Sequence, residues 1–335
     1  MEQIRKRVVW ISVLNWNTAA VTLDCVHSLL SMDVPPAFSL AVHVIDNGSA
    51  ADDFQLLAAG LAGTAVTLHR EERNLGFAGG HNIAIKKSFD AGVDFVWLVN
   101  SDALIEDGAT LAVLLDAMQG DPACGAASPV IITSDAARKV QFAGARHDWS
   151  RRQSQRFGIE ESKKLHASRA DHLWVLGTAV LYRVRALQEV GLFDERLFAY
   201  FEDDDLGARL AKAGWTSRMV FEAVVRHPQF RTETDRPPYY FYLMKRNYLI
   251  FWYENTPPPH RRLLFLKLLD QSIFEANKLY RKGFVKQGDA SLLGIYDFLL
   301  KRYGAPDLSR RVPVAMKLLR KLCEIQQDRA LKRVS

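Results

Sequence analysis

Apolar residues in the first part of the chain come in short runs that end abruptly in polar turn residues. Residues 7–14, 40–45, 65–68 and 95–99 are each long enough for a buried strand and too short for a typical helix. Helical patterns lie between them. Thr18 can cap a helix whose apolar face is Leu23, Val26 and Leu30, an i, i+3, i+7 spacing broken at Pro35-Pro36. Another helix follows the glycine-rich stretch 74–82 and runs to about Asp90, and a third pattern spans 108–118. Strands alternating with helices predict right-handed crossovers and a mostly parallel sheet with helices on both faces. Open sheets of this kind hold ligands outside the carboxyl ends of their strands. Asn15, Asp46, Asn74 and Asp102 are therefore expected to crowd one rim.

The pattern then weakens. Residues 134–170 are polar and basic and read as a long excursion carrying a hairpin. The sheet is expected to resume at 173–182. Leu206, Leu210 and Ala213 mark a helix face stopped by Gly214, and a last strand at 216–221 ends near His227. From Tyr239 the composition changes to aromatic and leucine-rich helical segments with interspersed Arg and Lys, interrupted at Pro257-Pro258-Pro259. The chain thus divides into an α/β domain over 1–230 and a C-terminal helical extension over 231–335. The extension suits core packing, homodimerisation or, as a basic amphipathic surface, peripheral membrane contact.

A charged fraction of 24% and a net charge of +6 describe an ordinary globular chain with an attraction to anions, and the positive excess lies in the last third. Cys25, Cys124 and Cys323 show no metal-ligand spacing and cannot all pair, which fits a reducing cytoplasm. The basic start breaks its apolar run at Ser12 and Asn15, so no signal peptide is expected, and no stretch is apolar enough to span a bilayer. Nucleic acid is not an expected partner, because no recognised binding module accompanies the charge.

Two acidic sites carry the candidate chemistry. The run 95–99 stops at Asn100-Ser101-Asp102, where Asp102 can ligate a hard divalent cation, although the same tripeptide would also suit a helix cap. Glu202, Asp203, Asp204 and Asp205 are consecutive acids before a helix. Complementing the helix dipole explains some of them, with Asp205 as the structural one. Asp203 can then serve as general base, with Glu202 orienting it or the acceptor. His227 offers imidazole as a second metal ligand. Gly76, Gly79 and Gly80 do not form a dinucleotide fingerprint, but their backbone N–H groups could approach a diphosphate.

Taken in order, the runs NWN at 15–17, DNGS at 46–49, NLGFAGGHN at 74–82, LVNSD at 98–102, GTAVLYR at 177–183 and VGLFDERLFAYFEDDDLGAR at 190–209, with a histidine after the last strand, resemble the family 2 glycosyltransferases. Within that family they look most like the rhamnosyltransferase-like branch that builds bacterial surface polysaccharides. The resemblance covers about the first 230 residues and implies a GT-A (Rossmann-like) fold. It places Asp46 by the pyrimidine base and Asn15, Asn17, Arg73, Asn74, Gly76, Gly80, Asn82, Asn100 and Ser101 around the donor nucleotide. It makes Asp102 the metal-binding aspartate of the DXD motif and Asp203 the catalytic base, with His227 helping to hold Mg2+ or Mn2+. Asn100 stands where the motif's first aspartate would be, a departure that bears on how tightly metal is held. The implied reaction is inverting transfer of a sugar, foremost L-rhamnose from dTDP-L-rhamnose, to a glycan or lipid-linked glycan acceptor. Alternatives are a UDP-sugar donor (GlcNAc, Gal or Glc) or a non-catalytic sugar-nucleotide-binding scaffold. A sugar nucleotidyltransferase would carry a glycine-rich loop where Asn15-Trp16-Asn17-Thr18 stands.

Overall fold

Strand β1 (Arg7–Asn15) and helix α1 (Ala19–Leu30) open the chain, followed by β2 (Phe38–Asn47), α2 (Ala51–Leu61), β3 (Thr67–Glu71), α3 (Gly76–Asp90) and β4 (Phe95–Asn100). The computed structural model to which these elements belong describes residues 6–167, 173–229, 232 and 235–331. Next come β5 (Leu104–Ile105), α4 (Thr110–Gly120), β6 (Cys124–Thr133), β7 (Val140–Phe142), β8 (Ala145–Asp148), β9 (Gln153–Arg156) and α5 (Ile159–Ala167). Then β10 (Leu173–Trp174), β11 (Ala179–Arg183), α6 (Val184–Val190), α7 (Glu202–Lys212) and β12 (Thr216–His227) complete the α/β part. Helices α8 (Pro238–Glu254), α9 (Arg261–Arg281), α10 (Val285–Leu299) and α11 (Val314–Leu331) end the chain.

The chain packs as two compact units, Met1–Asp194 with Glu202–Gln229, and Glu195–Phe201 with Phe230–Ser335. The short segment 195–201 thus belongs with the C-terminal helices, which a single division at 230 does not capture.

In the first unit a sheet runs β3-β2-β1-β4-β11-β6-β12-β5, with β7 paired to β6. β3, β2, β1 and β4 are parallel, as are β6 and β12, while β11 lies antiparallel between β4 and β6. Every apolar residue of β4, Phe95 to Val99, is buried, as a central strand covered on both faces requires. β8, β9 and β10 form a separate three-stranded sheet, and the β8–β9 hairpin lies inside the expected excursion. Residues 168–170, the end of that excursion, lie outside the described residues.

Several details differ from the sequence reading. α1 buries Thr22, Cys25, Val26 and Leu29, while Leu30 is exposed, because the Thr22 hydroxyl turns inward to donate to Asn15 Oδ1 at 2.7 Å. The apolar run 173–182 is two strands in different sheets, parted at Gly177-Thr178. β12 continues past Phe221 through a register shift, so His227 ends the strand. The glycines and the acids stand inside the first turns of α3 and α7, not ahead of them.

In the second unit Pro238 starts α8, and its aromatic run is largely buried. Arg246 and Asn247 are fully buried and donate to the carbonyls of Arg196, Leu197, Ala199, Tyr200 and Gly304. These bonds hold Phe198, Tyr200 and Phe201 at φ of 64°, 69° and 71°, a left-handed backbone that non-glycine residues adopt only when their surroundings impose it.

Candidate active site

The parallel register aligns Asn15 with Asp46 and Leu14 with Asn100 at the carboxyl ends of β1, β2 and β4. Asn15 is fully buried there. Its Nδ2 donates to Asp46 Oδ1 (2.9 Å), Ser49 Oγ (3.1 Å) and Asp53 Oδ2 (3.0 Å), and its Oδ1 accepts from Thr22. Asn15 is therefore a tie that sets the rim. Asn17, at φ 55°, accepts from the Ala50 N–H at the start of α2. Asp46 is buried too, with Arg70 Nε 3.6 Å away and the Arg70 guanidinium stacked on Phe54.

Asn74 accepts from Asn47 Nδ2 (3.0 Å) and from the Gly76 N–H (2.7 Å), while Asn47 Oδ1 takes the Leu75 N–H. Asn47, absent from the sequence expectations, thus folds the glycine turn. Gly76 needs its freedom, with φ at 73°. Gly80 serves packing: a Cβ there would sit 2.4 Å from Leu14 Cδ1, so α3 lies directly on β1. Asn82 is buried and exchanges two hydrogen bonds with the Phe193 backbone. Both are buried, Gly80 against β1 and Asn82 against the Phe193 backbone. Arg73 is exposed beside this turn with no hydrogen bond or ion pair among the described residues. Ser101 is half-buried next to Asn100.

Asp102 and His227 do meet. His227 Nε2 lies 3.2 Å from Asp102 Oδ1 and 3.2 Å from Asn100 Nδ2. On the ring's other side Nδ1 is 2.9 Å from Gln141 Oε1, while the Gln141 amide nitrogen donates to the Pro228 carbonyl. Gln141 therefore presents its oxygen to the Nδ1 side of the ring, and Nε2 accepts from Asn100 Nδ2 with Asp102 Oδ1 beside it. An imidazole whose second nitrogen donates to a carbonyl oxygen is the usual outer arrangement of a metal-ligating histidine. The donor set of one carboxylate oxygen and one imidazole nitrogen, both partly solvent-exposed, fits a divalent ion that keeps positions open for phosphate and water.

The acids of α7 reach the same rim through β11. The Asn100 N–H donates to the Thr178 carbonyl (2.8 Å), and the adjacent Gly177 N–H donates to Asp203 Oδ2 (3.0 Å). Asp203 Oδ1 takes the Asp204 N–H. The approach depends on Gly207, where a Cβ would lie 2.6 Å from Trp174 Cβ. Burial and the Asp204 charge push the Asp203 carboxyl up to about 6, against the lowering effect of the Gly177 and Asp204 N–H bonds and Arg156. Burial, then Asp203, holds Glu202 well above the usual carboxylate range, and Glu202 Oε2 has no hydrogen-bond partner among the described residues. Asp204 is fixed by His147 Nε2 (2.9 Å) and Ser154 Oγ (2.8 Å) from the β8–β9 hairpin. His147 stacks on Trp174 at a ring separation of 5.6 Å. Asp205 bonds Arg209 one turn later, a structural pairing along the helix. His147, Ser154 and Gln141 lie in the weakly patterned excursion, where periodicity carries no signal.

The chain is 33% identical over 218 residues to an N-acetylglucosaminyl-diphospho-decaprenol L-rhamnosyltransferase of Mycobacterium tuberculosis, covering 59% of this chain and 70% of that protein. It is 28% identical over 186 residues to galactofuranosyltransferase GlfT1 of the same organism, covering 55% and 59%. The mannosyltransferase PcManGT from Pyrobaculum calidifontis, solved with GDP-Man and Mn2+, superposes with a TM-score of 0.55 at 16% identity, covering 89% of this chain and 87% of that one. That likeness shows the shared GT-A fold. The sequence profile described as "Glycosyltransferase like family 2" matches residues 7–248, most of the chain, and the protein belongs to that family.

Proposed function

We propose that this protein is an inverting rhamnosyltransferase that moves L-rhamnose from dTDP-L-rhamnose to a hydroxyl of a lipid-linked glycan. The observation that carries the reading is the short path of hydrogen bonds from Asn100, two residues before Asp102, through Thr178 and Gly177 ahead of β11, to Asp203. The rhamnosyl donor and lipid-linked acceptor are supported by the relative that is 33% identical.

In this reading the acceptor hydroxyl attacks the anomeric carbon from the face opposite the diphosphate, so the new bond forms as the sugar–phosphate bond breaks and the configuration inverts. Asp203, ionised above about pH 6, takes the hydroxyl proton, and the Gly177 and Asp204 N–H groups hold its carboxylate in place. Burial, then the Asp203 charge, favours the uncharged form of Glu202 beside it. Asp102 and His227 would hold Mg2+ or Mn2+, which supplies Lewis-acid stabilisation of the departing diphosphate. Arg73 adds a cation to the same rim.

Asp203→Asn should lower transfer by roughly a thousandfold or more while nucleotide affinity stays within about twofold. Turnover near the wild-type rate would remove Asp203 from the mechanism. Donor identity is tested by thermal shift with dTDP-rhamnose, UDP-galactofuranose, UDP-GlcNAc and GDP-mannose in the presence of Mn2+. Stabilisation by UDP-galactofuranose alone would move the assignment to the chemistry named for the galactofuranosyl relative.

A further inference from the structure

The sequence left the C-terminal extension open to core packing, a dimer or a membrane surface, and α8 buries most of its aromatic run. The exposed apolar face lies elsewhere. On α11, Val314, Leu318, Leu322 and Ile325 are 72%, 58%, 60% and 48% exposed. Their spacing of four, four and three residues gathers them into roughly a quarter of the helix circumference. The opposite side of α11 packs on α9: Arg320 donates to Asn277 Oδ1 at 3.0 Å and lies 4.4 Å from the Tyr280 ring centre, and Arg281 reaches Glu324 at 3.4 Å. Lys317 and Lys321 are exposed along one border of the stripe and have no ion pair among the described residues.

We propose that α11 is a membrane-docking helix that lays this stripe into the headgroup layer of an anionic lipid bilayer. Charge selects lipid over a second copy of the chain. Residues 231–335 hold 21 of the 44 Lys and Arg residues but only 10 of the 38 Asp and Glu residues, so two copies meeting here would repel, whereas an anionic leaflet attracts. Aliphatic residues on one side with lysines at the border is the pattern of a helix lying in the plane of the interface. α9 repeats it at one end, where Leu263 and Leu266 are 66% and 56% exposed between Arg262 and Lys267. The inference is independent of the sugar transferred.

The test is co-sedimentation of the full chain with vesicles of phosphatidylcholine, alone or mixed with phosphatidylglycerol. Binding to the anionic vesicles is expected, weakened by added salt, and roughly tenfold or more weaker in the double variant Leu318→Ser with Leu322→Ser. Lys317→Glu with Lys321→Glu should lose the preference for anionic vesicles. Unchanged melting temperatures in both variants would show that binding, not folding, was lost; a variant that melts early is replaced by Leu318→Lys, read the same way. Equal binding by wild type and variants, or no binding by wild type, would overturn the proposal. So would a wild-type dimer in sedimentation velocity that the Leu318 and Leu322 substitutions dissociate, since the stripe would then belong to a second copy.

Discussion

Four consecutive carboxyl groups in one helical turn have four different fates, and each follows from what its side chain meets. Asp205 pairs with Arg209, Asp204 accepts from His147 and Ser154, Asp203 accepts two backbone N–H groups, and Glu202 is buried with an oxygen left unmatched among the described residues. Glu202 is an acid whose folded-state pKa lies above its unfolded value. Its contribution favours the fold at pH below the unfolded carboxylate range and is lost as pH rises toward the folded value. Glu202→Gln should accordingly raise the melting temperature at about pH 8 and leave it unchanged at about pH 4, as calorimetry at the two pH values would show. Asp204→Asn keeps the oxygen that His147 and Ser154 donate to and removes one negative charge beside Asp203. The acid limb of the kcat/KM profile, expected near pH 6, should then move down by about one unit. An unmoved limb would mean that Asp204 does not tune the proposed base. The sequence could show that four acids in a row require an explanation, but not which partner each finds, because His147 and Ser154 lie some fifty residues upstream.

At the level of elements, the alternation of short apolar runs with helical patterns made the parallel half of the sheet legible, including the polar stops at Asn15, Asp46 and Asn100. It failed where tertiary pairing overrides local pattern. The run 173–182 is apolar throughout, yet the chain leaves one sheet at Trp174 and enters another at Ala179. Nothing in periodicity marks that exit; Gly177, whose N–H is given to Asp203, is the physical reason for it. Asn82 and Gly80 were drawn to the nucleotide by motif position, while their burial serves the packing of α3. α7 makes a prediction on this scale. A methyl group at position 207 would meet the Cβ of Trp174, which is not the free end of a flexible side chain. Gly207→Ala should displace α7 and lower kcat by about tenfold or more, with little change in donor affinity, and cost about 1–3 kcal/mol of stability measured by denaturant titration.

On the scale of the whole molecule, the charge is divided unevenly. Residues 1–230 hold 23 Lys and Arg against 28 Asp and Glu, so the α/β part that would take up a nucleoside diphosphate is itself net negative. Its overall field opposes that ligand, and local cations must reverse it. Chelation of divalent ions should therefore weaken nucleotide binding sharply, and Asp102→Ala should make binding insensitive to added Mn2+. Titration calorimetry with and without chelator would show a metal-independent affinity if Asp102 and His227 play no such part. The basic helices and the acidic sheet were both visible in composition, but composition assigns charge to stretches of chain, not to faces. Only the packing of α11 on α9 reveals which leucines are left in water.

One strand also has a consequence for how this enzyme could diversify. Asn100 is joined to Thr178 by a main-chain bond, and the neighbouring Gly177 N–H holds the Asp203 carboxylate. In the proposed reading, the turn that leads into β11 works as a ruler for the gap between Asp102, at the leaving-group end, and Asp203, at the proton-accepting end. Preference for a different sugar would then have to evolve in the loops around that gap, with the gauge itself inherited unaltered.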